Sequence, residues 1–291
     1  MDKKSKPKKK QSYRSHGRGW KIFSYTILFI GAVVSLVPFI WMILTSFMSL
    51  GEAMGNTWIP KEFLWSNYAE AWGEAKLSSY ILNSVIITTI TLTGELIVAI
   101  LAAYAFSRMH FPGRDTIFGI LLSTMMIPGM VLMIPNLLTV TWLGRVGPIP
   151  WMDNWPALTI PFMGSVFAIF LLRQFFSQIP DELFDAAKID GARHFRMLTQ
   201  IVVPLSTAPI LVIIVLSFIG SWNALAWPLL VTSTDKWLPI AVGLYNFVSD
   251  EGSKVQLIMA GTVITIIPIL GLYFLTQKQF TESISRSGLK G

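Results

Sequence analysis

The 291-residue sequence contains no cysteine and few charged side chains. Without cysteine there are no disulfide bonds, thiolate metal sites or cysteine nucleophiles, and the redox compartment stays undetermined. Charged residues make up 13% of the chain and hydrophobic residues 53%, whereas soluble domains usually carry about a quarter charged residues. A soluble chain of this composition would expose large apolar patches, so the composition predicts a membrane protein.

The sequence also lacks the motifs of membrane enzymes and of ATP-driven motors. It contains no HExxH motif, no paired-aspartate motif and no histidine within a long apolar run, so neither catalytic chemistry nor metal binding is predicted. The phosphate-binding motif GxxxxGK[ST] is absent as well. We therefore expect no catalytic residue, no metal ligand and no cofactor bound by this chain. If ATP drives the protein, a separate chain must hydrolyse it.

Long runs without charge divide the chain into six predicted membrane-spanning helices. A bilayer core takes about 20 apolar helical residues to cross. The predicted fold class is therefore an all-α membrane protein, with a six-span domain at 22–280. Its spans lie at about 22–47, 77–106, 116–141, 155–175, 204–231 and 256–278.

The distribution of Lys and Arg predicts which ends of the spans face the cytoplasm. With the N-terminus inside, the inner segments carry 18 Lys or Arg and the outer segments carry 5. Cytoplasmic loops hold this excess in membrane proteins. Both termini are therefore expected in the cytoplasm, as a basic tail at 1–21 and a second tail at 281–291, in a multi-pass protein of the cell (inner or plasma) membrane. The basic tail could also be a nucleic-acid arm, but we interpret it as a segment that touches anionic lipid, with no nucleic-acid partner.

One ionisable residue, Glu95, lies well within a predicted span. Carriers driven by ions or protons usually keep such residues in their spans, because these residues bind the coupling ion. Glu95 could be a proton relay, or it could be a packed, hydrogen-bonded or protonated side chain between helices. We favour the structural interpretation.

The segment between predicted spans 4 and 5 has the pattern of a short helix, a turn and a second helix. Pro180 fits the start of the first helix, acids follow in its first turn, and Gly191 fits its end. Such a short helix needs a surface to pack on. Its polar face carries mainly acids, which suit an anionic lipid surface poorly, so a groove on a partner protein is the better prediction.

This segment contains a pattern of six residues at fixed spacing: an acid, two alanines, a glycine, an isoleucine and a proline. They are Asp185, Ala186, Ala187, Gly191, Ile201 and Pro204. The pattern resembles the EAA loop of binding-protein-dependent ABC importers. The spacing matches throughout. An aspartate stands where that loop has glutamate, and Val203 stands where it has leucine.

Further motifs, at Trp222-Asn223 and at the C-terminal Gly288–Gly291, are similar to those of the carbohydrate branch of this family. Within that branch, the chain resembles the smaller, six-span subunit of the maltose or multiple-sugar type. The resemblance implies a permease subunit of an ATP-driven sugar importer that forms half of the translocation pathway. The loop at 176–204 would be its coupling loop, and the six residues above would contact the ATPase. The implied partners are a second permease subunit in a heterodimer, a cytoplasmic ABC ATPase dimer, an extracytoplasmic solute-binding protein and membrane lipid.

Sugar binding needs aromatic rings, amides and hydroxyls, and the candidate residues near the spans are Asn83, Asn136, Trp222 and Asn223. Each of them could instead be a helix-packing residue or an interfacial anchor. Two alternatives to a sugar importer stay open. One is an ABC permease for another solute, such as glycerol-3-phosphate, and the other is a proton-coupled carrier that uses Glu95.

Overall fold

The computed structural model describes residues 18–55, 57–74, 76–250 and 254–288. Every regular element in these ranges is helical, which confirms the all-α prediction. Residues 1–17 of the predicted basic tail and the last three residues of the chain lie outside the described residues. The predicted C-terminal tail begins within a helix that extends to Gly288.

The α-helices vary from three to 34 residues in length. In the described residues they are α1 (Arg18–Ser46), α2 (Leu50–Ala53), α3 (Ser66–Glu74), α4 (Leu77–Arg108), α5 (Arg114–Thr124), α6 (Met133–Val146), α7 (Trp155–Thr159), α8 (Val166–Ser177), α9 (Asp181–Ile189), α10 (His194–Met197), α11 (Val203–Leu205), α12 (Thr207–Trp222), α13 (Ala226–Val231), α14 (Ile240–Asp250) and α15 (Val255–Gly288). Tight turns precede α6, follow α7 and precede α14, and the wider π turn Leu198–Val202 joins α10 to α11.

Five helical segments in the described part are long and apolar enough to cross a membrane, namely Gly19–Ser46, Leu77–Arg108, Gly129–Val146, Trp155–Ser177 and Val255–Gln277. A sixth crossing results if His194–Leu205 and Thr207–Trp222, which meet at 78°, form one broken span. The described residues therefore hold five to six spanning helices, as expected for the predicted fold class.

Helix breaks occur in three of the predicted spans: at 163–165 between α7 and α8, and in the two spans described next, where each break lies near a proline. The segment 116–141 is divided between α5 and α6, and Pro128 lies in the break with an extended backbone. Proline removes a helical hydrogen-bond donor and disfavours the α conformation before it. The segment 204–231 contains α12 and α13, separated at residues 223–225, a few residues before Pro228. Prolines inside apolar runs thus coincide with both interruptions.

Helix α4 is central to the packing, and its two ends belong to different buried clusters. At one end, here called the α9 end, the cluster includes Tyr104, Phe106, Leu172, Phe176 and Phe184. At the other, here called the α14 end, it includes Leu77, Tyr80, Trp222, Ile240 and Leu257. Because α4 packs along α8 and α12 between these clusters, it fixes the positions of the elements at both ends.

Helix α1 differs from α4 in its surroundings. None of the residues in its most apolar stretch is buried, although it packs along one side of α15. A helix that is apolar on all sides belongs in a bilayer or against another apolar chain. Most of its surface is therefore available to lipid or to a partner subunit.

Candidate functional site

Helix α9 has a capped end that depends on one glycine. The Ala192 N–H donates to the Ala187 carbonyl at 2.8 Å, and the Gly191 N–H donates to the Lys188 carbonyl at 3.0 Å. These two bonds form a Schellman motif, which needs a left-handed residue after the helix. Gly191 provides it with a φ of +74°. The sequence prediction that this glycine ends the helix agrees with the observed geometry.

Helix α9 is anchored to the spans through Phe184, which is 6% exposed. Its ring packs in the cluster at the α9 end with Leu172, Phe176 and Met197. The Arg108 guanidinium, at the end of α4, lies 4.3 Å from the centre of the Phe184 ring. A cation over an aromatic face adds attraction to the apolar burial.

The same guanidinium ties three parts of the α9 end together by hydrogen bonds. Arg108 Nε donates to the Phe176 carbonyl at 3.0 Å, and Nη2 donates to the carbonyls of Phe176 and Ile179. Its Nη1 lies 2.5 Å from the Asp181 carboxylate in the first turn of α9. The end of α4, the end of α8 and the start of α9 are therefore held as one unit.

Two more contacts hold the flanks of this unit. The Arg173 guanidinium lies 4.0 Å from the centre of the Phe118 ring, and its Nε donates to the Phe106 carbonyl at 3.2 Å. The Tyr104 hydroxyl and His194 Nδ1 are 3.1 Å apart and joined by a hydrogen bond. In the sequence, Arg108 and Arg173 are two of the 18 inner Lys and Arg residues that predict the orientation. Their place at the ends of apolar runs was the one available signal, and it does not reveal which carbonyls they reach.

The predicted coupling residues share this end of the molecule but differ in exposure. Asp185, Ala186, Gly191 and Pro204 are exposed, whereas Ala187 and Ile201 are partly buried against the cluster at the α9 end. Asp185 accepts a hydrogen bond from Lys188 at 2.9 Å. Their contact with an ATPase stays a prediction.

Large apolar side chains also lie exposed beside these residues. Ile189 is 87% exposed and Phe195 is 73% exposed, and Leu183 is exposed as well. Leu183 and Phe184 are adjacent on α9, but only Phe184 is buried. Acids and exposed apolar groups together form a surface suited to a protein partner.

A cavity of about 370 Å³ lies at the middle of α4, away from the α9 end. It is bounded by α4, by the break between α7 and α8, and by the break between α12 and α13. Its polar lining comes from Thr91, Glu95, Ser165, Ser217 and Ser221. Within the described ranges, no three His, Cys, Asp or Glu side chains are grouped so that they could hold a metal ion.

The Glu95 side chain is buried, with 6% exposure, and lines this cavity. It makes no hydrogen bond or ion pair with any described residue. Of the forms that the structural interpretation allowed, packing between helices is what the described residues show, and a hydrogen bond to a neighbouring helix is not. Packing against neighbouring helices buries Glu95 without giving it a partner.

The predicted sugar-binding residues do not line this cavity. The Asn83 amide donates to the carbonyls of Lys236 and Leu238, both at 3.1 Å. Trp222 is buried, donates to the Thr265 carbonyl and stacks on Phe218.

The other two predicted residues are exposed. Asn223 follows the end of α12 and donates from its side chain to the Ile219 carbonyl at 3.0 Å. Asn136 lies on α6. Three of the four side chains therefore have structural hydrogen bonds within the chain.

Comparison with known proteins gives concordant matches. Residues 95–281 match the family described as binding-protein-dependent transport system inner membrane component. The chain is 31% identical over 277 residues to the sn-glycerol-3-phosphate transport system permease protein UgpE of Yersinia enterocolitica, a match that covers 92% of this chain and 96% of that protein. It is 28% identical over 276 residues to the diacetylchitobiose uptake system permease protein NgcG of Streptomyces coelicolor, covering 94% and 90%.

The fold is also similar to solved structures. A chain in the crystal structure of a bacterial ABC transporter involved in the import of the acidic polysaccharide alginate superposes with a TM-score of 0.81 at 25% identity, covering 91% of this chain and 99% of that one. On these sequence and structure matches, the chain belongs to the family of binding-protein-dependent transport system inner membrane components, the membrane-spanning permease subunits of ABC transporters.

Proposed function

We propose that this chain is one of two different permease subunits in an ATP-driven sugar importer and forms half of its translocation pathway. In this arrangement the α9 end faces the cytoplasm and both termini lie there. A separate ATPase dimer binds the α9 end, and a solute-binding protein delivers the solute at the α14 end. The excess of Lys and Arg in the segments at the α9 end supports this orientation.

The observation that carries the proposal is the way α9 is mounted. One face is fixed to α4 and α8 by Phe184 and Arg108, while Asp185, Ala186 and Ile189 are exposed. A partner that moved α9 would therefore move the spans with it. Transmission of this kind requires a rigid connection and a partner whose nucleotide states bind the two arrangements with different affinity.

The solute class is proposed from the carbohydrate-type motifs and from relatives. The named relatives include a diacetylchitobiose uptake permease and an sn-glycerol-3-phosphate permease, so a glycerol phosphate is the second candidate. We favour a sugar, because no Lys, Arg or His lies among the residues that line the cavity at the middle of α4. A phosphate group is normally bound by cationic side chains or by backbone N–H groups.

The coupling role is tested with the complete complex in proteoliposomes. Asp185→Lys reverses the charge on the exposed face of α9, and Gly191→Pro removes the N–H that caps the helix. Both variants are expected to lose co-purification of the ATPase, or to hydrolyse ATP without solute uptake. Glu62→Lys, an exposed acid far from α9 in the chain, is the matched control and should keep the ATPase bound.

Normal ATPase capture together with full uptake in both α9 variants contradicts the coupling role. Mass spectrometry of the gently solubilised wild-type complex provides the complementary measurement. It is expected to detect a second permease, an ATPase dimer and a retained sugar. A complex that contains no nucleotide-hydrolysing chain would overturn the importer assignment.

A further inference from the structure

The cavity lies at the middle of α4, a helix long and apolar enough to cross a membrane. Thr91 and Glu95 occupy the same face of α4, one helical turn apart, and both line the cavity. The opposite walls are the break between α7 and α8, which contains Ser165, and the break between α12 and α13, which contains Ala224. In membrane proteins, irregular backbone at such depth is found where it lines a cavity or is covered by protein.

Two buried polar groups on this wall have no partner in the described chain. Glu95 is 6% exposed and Thr91 is 5% exposed, and the Thr91 hydroxyl makes no hydrogen bond. Nearby polar groups are paired, since Thr88 shares a hydrogen bond with Ser221 and the Trp227 indole donates to the Ala157 carbonyl. An unpaired buried hydroxyl is costly in free energy, so Thr91 is a candidate for a group that a ligand completes, and the Glu95 side chain lines the same cavity.

The remaining lining residues fit the chemistry of a polyol. Ser165 and Ser217 add hydroxyl groups, and Phe162 and Trp227 form an edge-to-face aromatic pair with ring centres 5.9 Å apart. Small-molecule sites combine such apolar walls with a few polar groups, usually in volumes of about 300–1,000 Å³. A carboxylate only accepts hydrogen bonds, so it suits the hydroxyl donors of a sugar.

We infer that this cavity binds a polyhydroxylated part of the transported solute that carries no negative charge, with Glu95 and Thr91 as its hydrogen-bonding contacts. The inference rests on the proposed import function for the identity of the solute, and it deepens that proposal. The carboxylate repels anions, and none of the lining residues offsets it with a cationic side chain. A named relative is a glycerol-phosphate permease, and a similar structure imports an acidic polysaccharide, so the inference separates this chain's solute from theirs.

A first experiment measures the charge selectivity of the cavity without knowledge of the solute. The chain has no native cysteine, so Ser217→Cys introduces a single thiol at the cavity wall in the assembled complex. This thiol is reacted separately with a cationic and an anionic thiosulfonate reagent of equal size. The labelling rate with each reagent is followed as the increase in mass of this chain. Ser79→Cys, at an exposed position on the same helix as Glu95 but 16 residues away, is the control, since about 24 Å of helix separates them, well beyond the Debye length.

The cationic-to-anionic rate ratio at Ser217→Cys is expected to exceed the control ratio about tenfold, as a nearby unscreened charge predicts. Adding Glu95→Gln should bring the two ratios together. Equal ratios at the two sites, or a preference that survives Glu95→Gln, would overturn the assignment of Glu95 as the charge that governs this cavity.

A second experiment measures ATP-driven uptake by proteoliposomes of diacetylchitobiose and maltose as neutral probes and of sn-glycerol-3-phosphate as an anionic probe. Uptake of a neutral probe is expected, and Glu95→Gln should lower it about tenfold, the effect of losing one hydrogen bond to a charged group. Thr91→Val should lower it less. Thr93→Val, an exposed threonine two residues along the same helix, is the matched control and should transport normally.

The two experiments distinguish failure of the inference from failure of the proposed function. Import of the phosphate ester in preference to sugars, or unchanged sugar uptake in Glu95→Gln, contradicts the solute class while leaving the importer in place. An assembled complex that hydrolyses ATP but imports none of the probes contradicts the proposed sugar import, even if the labelling ratios confirm an anion-excluding cavity.

Discussion

Arg108 and Glu95 lie on the same helix, yet their surroundings are opposite. The Arg108 side chain is 11% exposed and is paired with two main-chain carbonyls and with Asp181. Glu95 is also buried, with 6% exposure, but has no hydrogen bond or ion pair among the described residues. A buried charge with a full set of partners stabilises the fold around it. A buried acid that has no partner in the chain and lines a cavity is available to a group from outside the chain.

The difference divides α4 into two parts with different physical roles. Its end is a fixed joint between the spans and α9, and its middle is one wall of a cavity. This division predicts that substitutions at the two positions have opposite consequences for stability and for transport.

The largest effect is expected for Arg108→Met. This change removes the donors to the carbonyls of Phe176 and Ile179 at a partly buried site. It leaves the Ile179 carbonyl unpaired and the Phe176 carbonyl with only main-chain donors. Hydrogen bonds to charged groups contribute about 1.5–3 kcal/mol each, so we expect the free energy of unfolding to fall by about 3 kcal/mol. Thermal or denaturant unfolding in detergent measures this, and limited proteolysis at α9 should accelerate.

Two controls sharpen the Arg108 result. Arg108→Lys keeps the charge but cannot form the same fork of hydrogen bonds, so it should recover only part of the loss. Arg114→Met removes a more exposed arginine whose ion pair is with the adjacent Asp115, and it should cost less than about 1 kcal/mol. Equal losses in Arg108→Met and Arg114→Met would show that the joint is not a centre of stability.

The contrast between these two residues marks how far the sequence could predict the site. Gly191 and the acids after Pro180 were sufficient to predict α9, because capping is local. The anchoring of α9 was not predictable, since it depends on where Arg108 lies relative to carbonyls some 70 residues away in the chain. The cavity was not predictable for the same reason, because its walls come from three separate spans.

The fold shows the same distinction. The lengths of charge-free runs predict spanning helices reliably, because the cost of placing charges in a bilayer applies to each segment separately. The breaks after Thr124 and Trp222 were harder to predict. A proline in a spanning segment either kinks or interrupts the helix, and the outcome depends on whether neighbouring groups can form hydrogen bonds with the backbone groups that the proline leaves unpaired.

A second fully paired charge at the α14 end gives an intermediate effect. The Asp153 carboxylate accepts hydrogen bonds from the N–H groups of Ser233 and Thr234 and from the Thr234 hydroxyl, at 3.0, 3.1 and 2.6 Å. Partial burial raises the pKa of Asp153, but these hydrogen bonds outweigh it and hold the pKa below its ordinary value of 3.8. The loop at 147–154 is thereby joined to the loop after α13.

Asp153→Asn is therefore expected to weaken this junction by about 1 kcal/mol at neutral pH. Because the folded-state pKa is lowered, the stabilisation is fully present above the unfolded pKa and is lost as the pH falls through the folded value. Hydrogen exchange at the amides of Ser233 and Thr234 measures this stabilisation. At pH 6 these amides should exchange faster in the variant than in the wild type. The ratio of the two opening constants should shrink below pH 3.8. A ratio that does not change with pH would exclude the ionised carboxylate as the cause.

A smaller effect of opposite sign is expected for Glu95→Met, the counterpart of Arg108→Met. Replacing an unpaired buried acid with an apolar side chain of similar length should stabilise the isolated chain, by no more than about 1 kcal/mol. The same unfolding measurement as for Arg108 applies. A loss of stability close to that of Arg108→Met would mean that Glu95 has a structural partner, and the contrast between the two residues would fail.

The smallest effect on stability is expected for Asp185→Asn, and this makes it the most informative test of function at the α9 end. The Asp185–Lys188 pair is 2.9 Å apart, but both side chains are more than 60% exposed. Exposed pairs at this spacing contribute only about 0.3–0.5 kcal/mol, so the unfolding curve should hardly move. If the carboxylate contacts the ATPase, capture of that subunit should still fall.

Lys188→Gln breaks the same pair from the other side and is the matched control. Reduced capture in Asp185→Asn alone assigns the effect to the carboxylate meeting a partner. Equal reduction in both variants assigns it to the pair within α9, and unchanged capture in both removes Asp185 from the coupling surface.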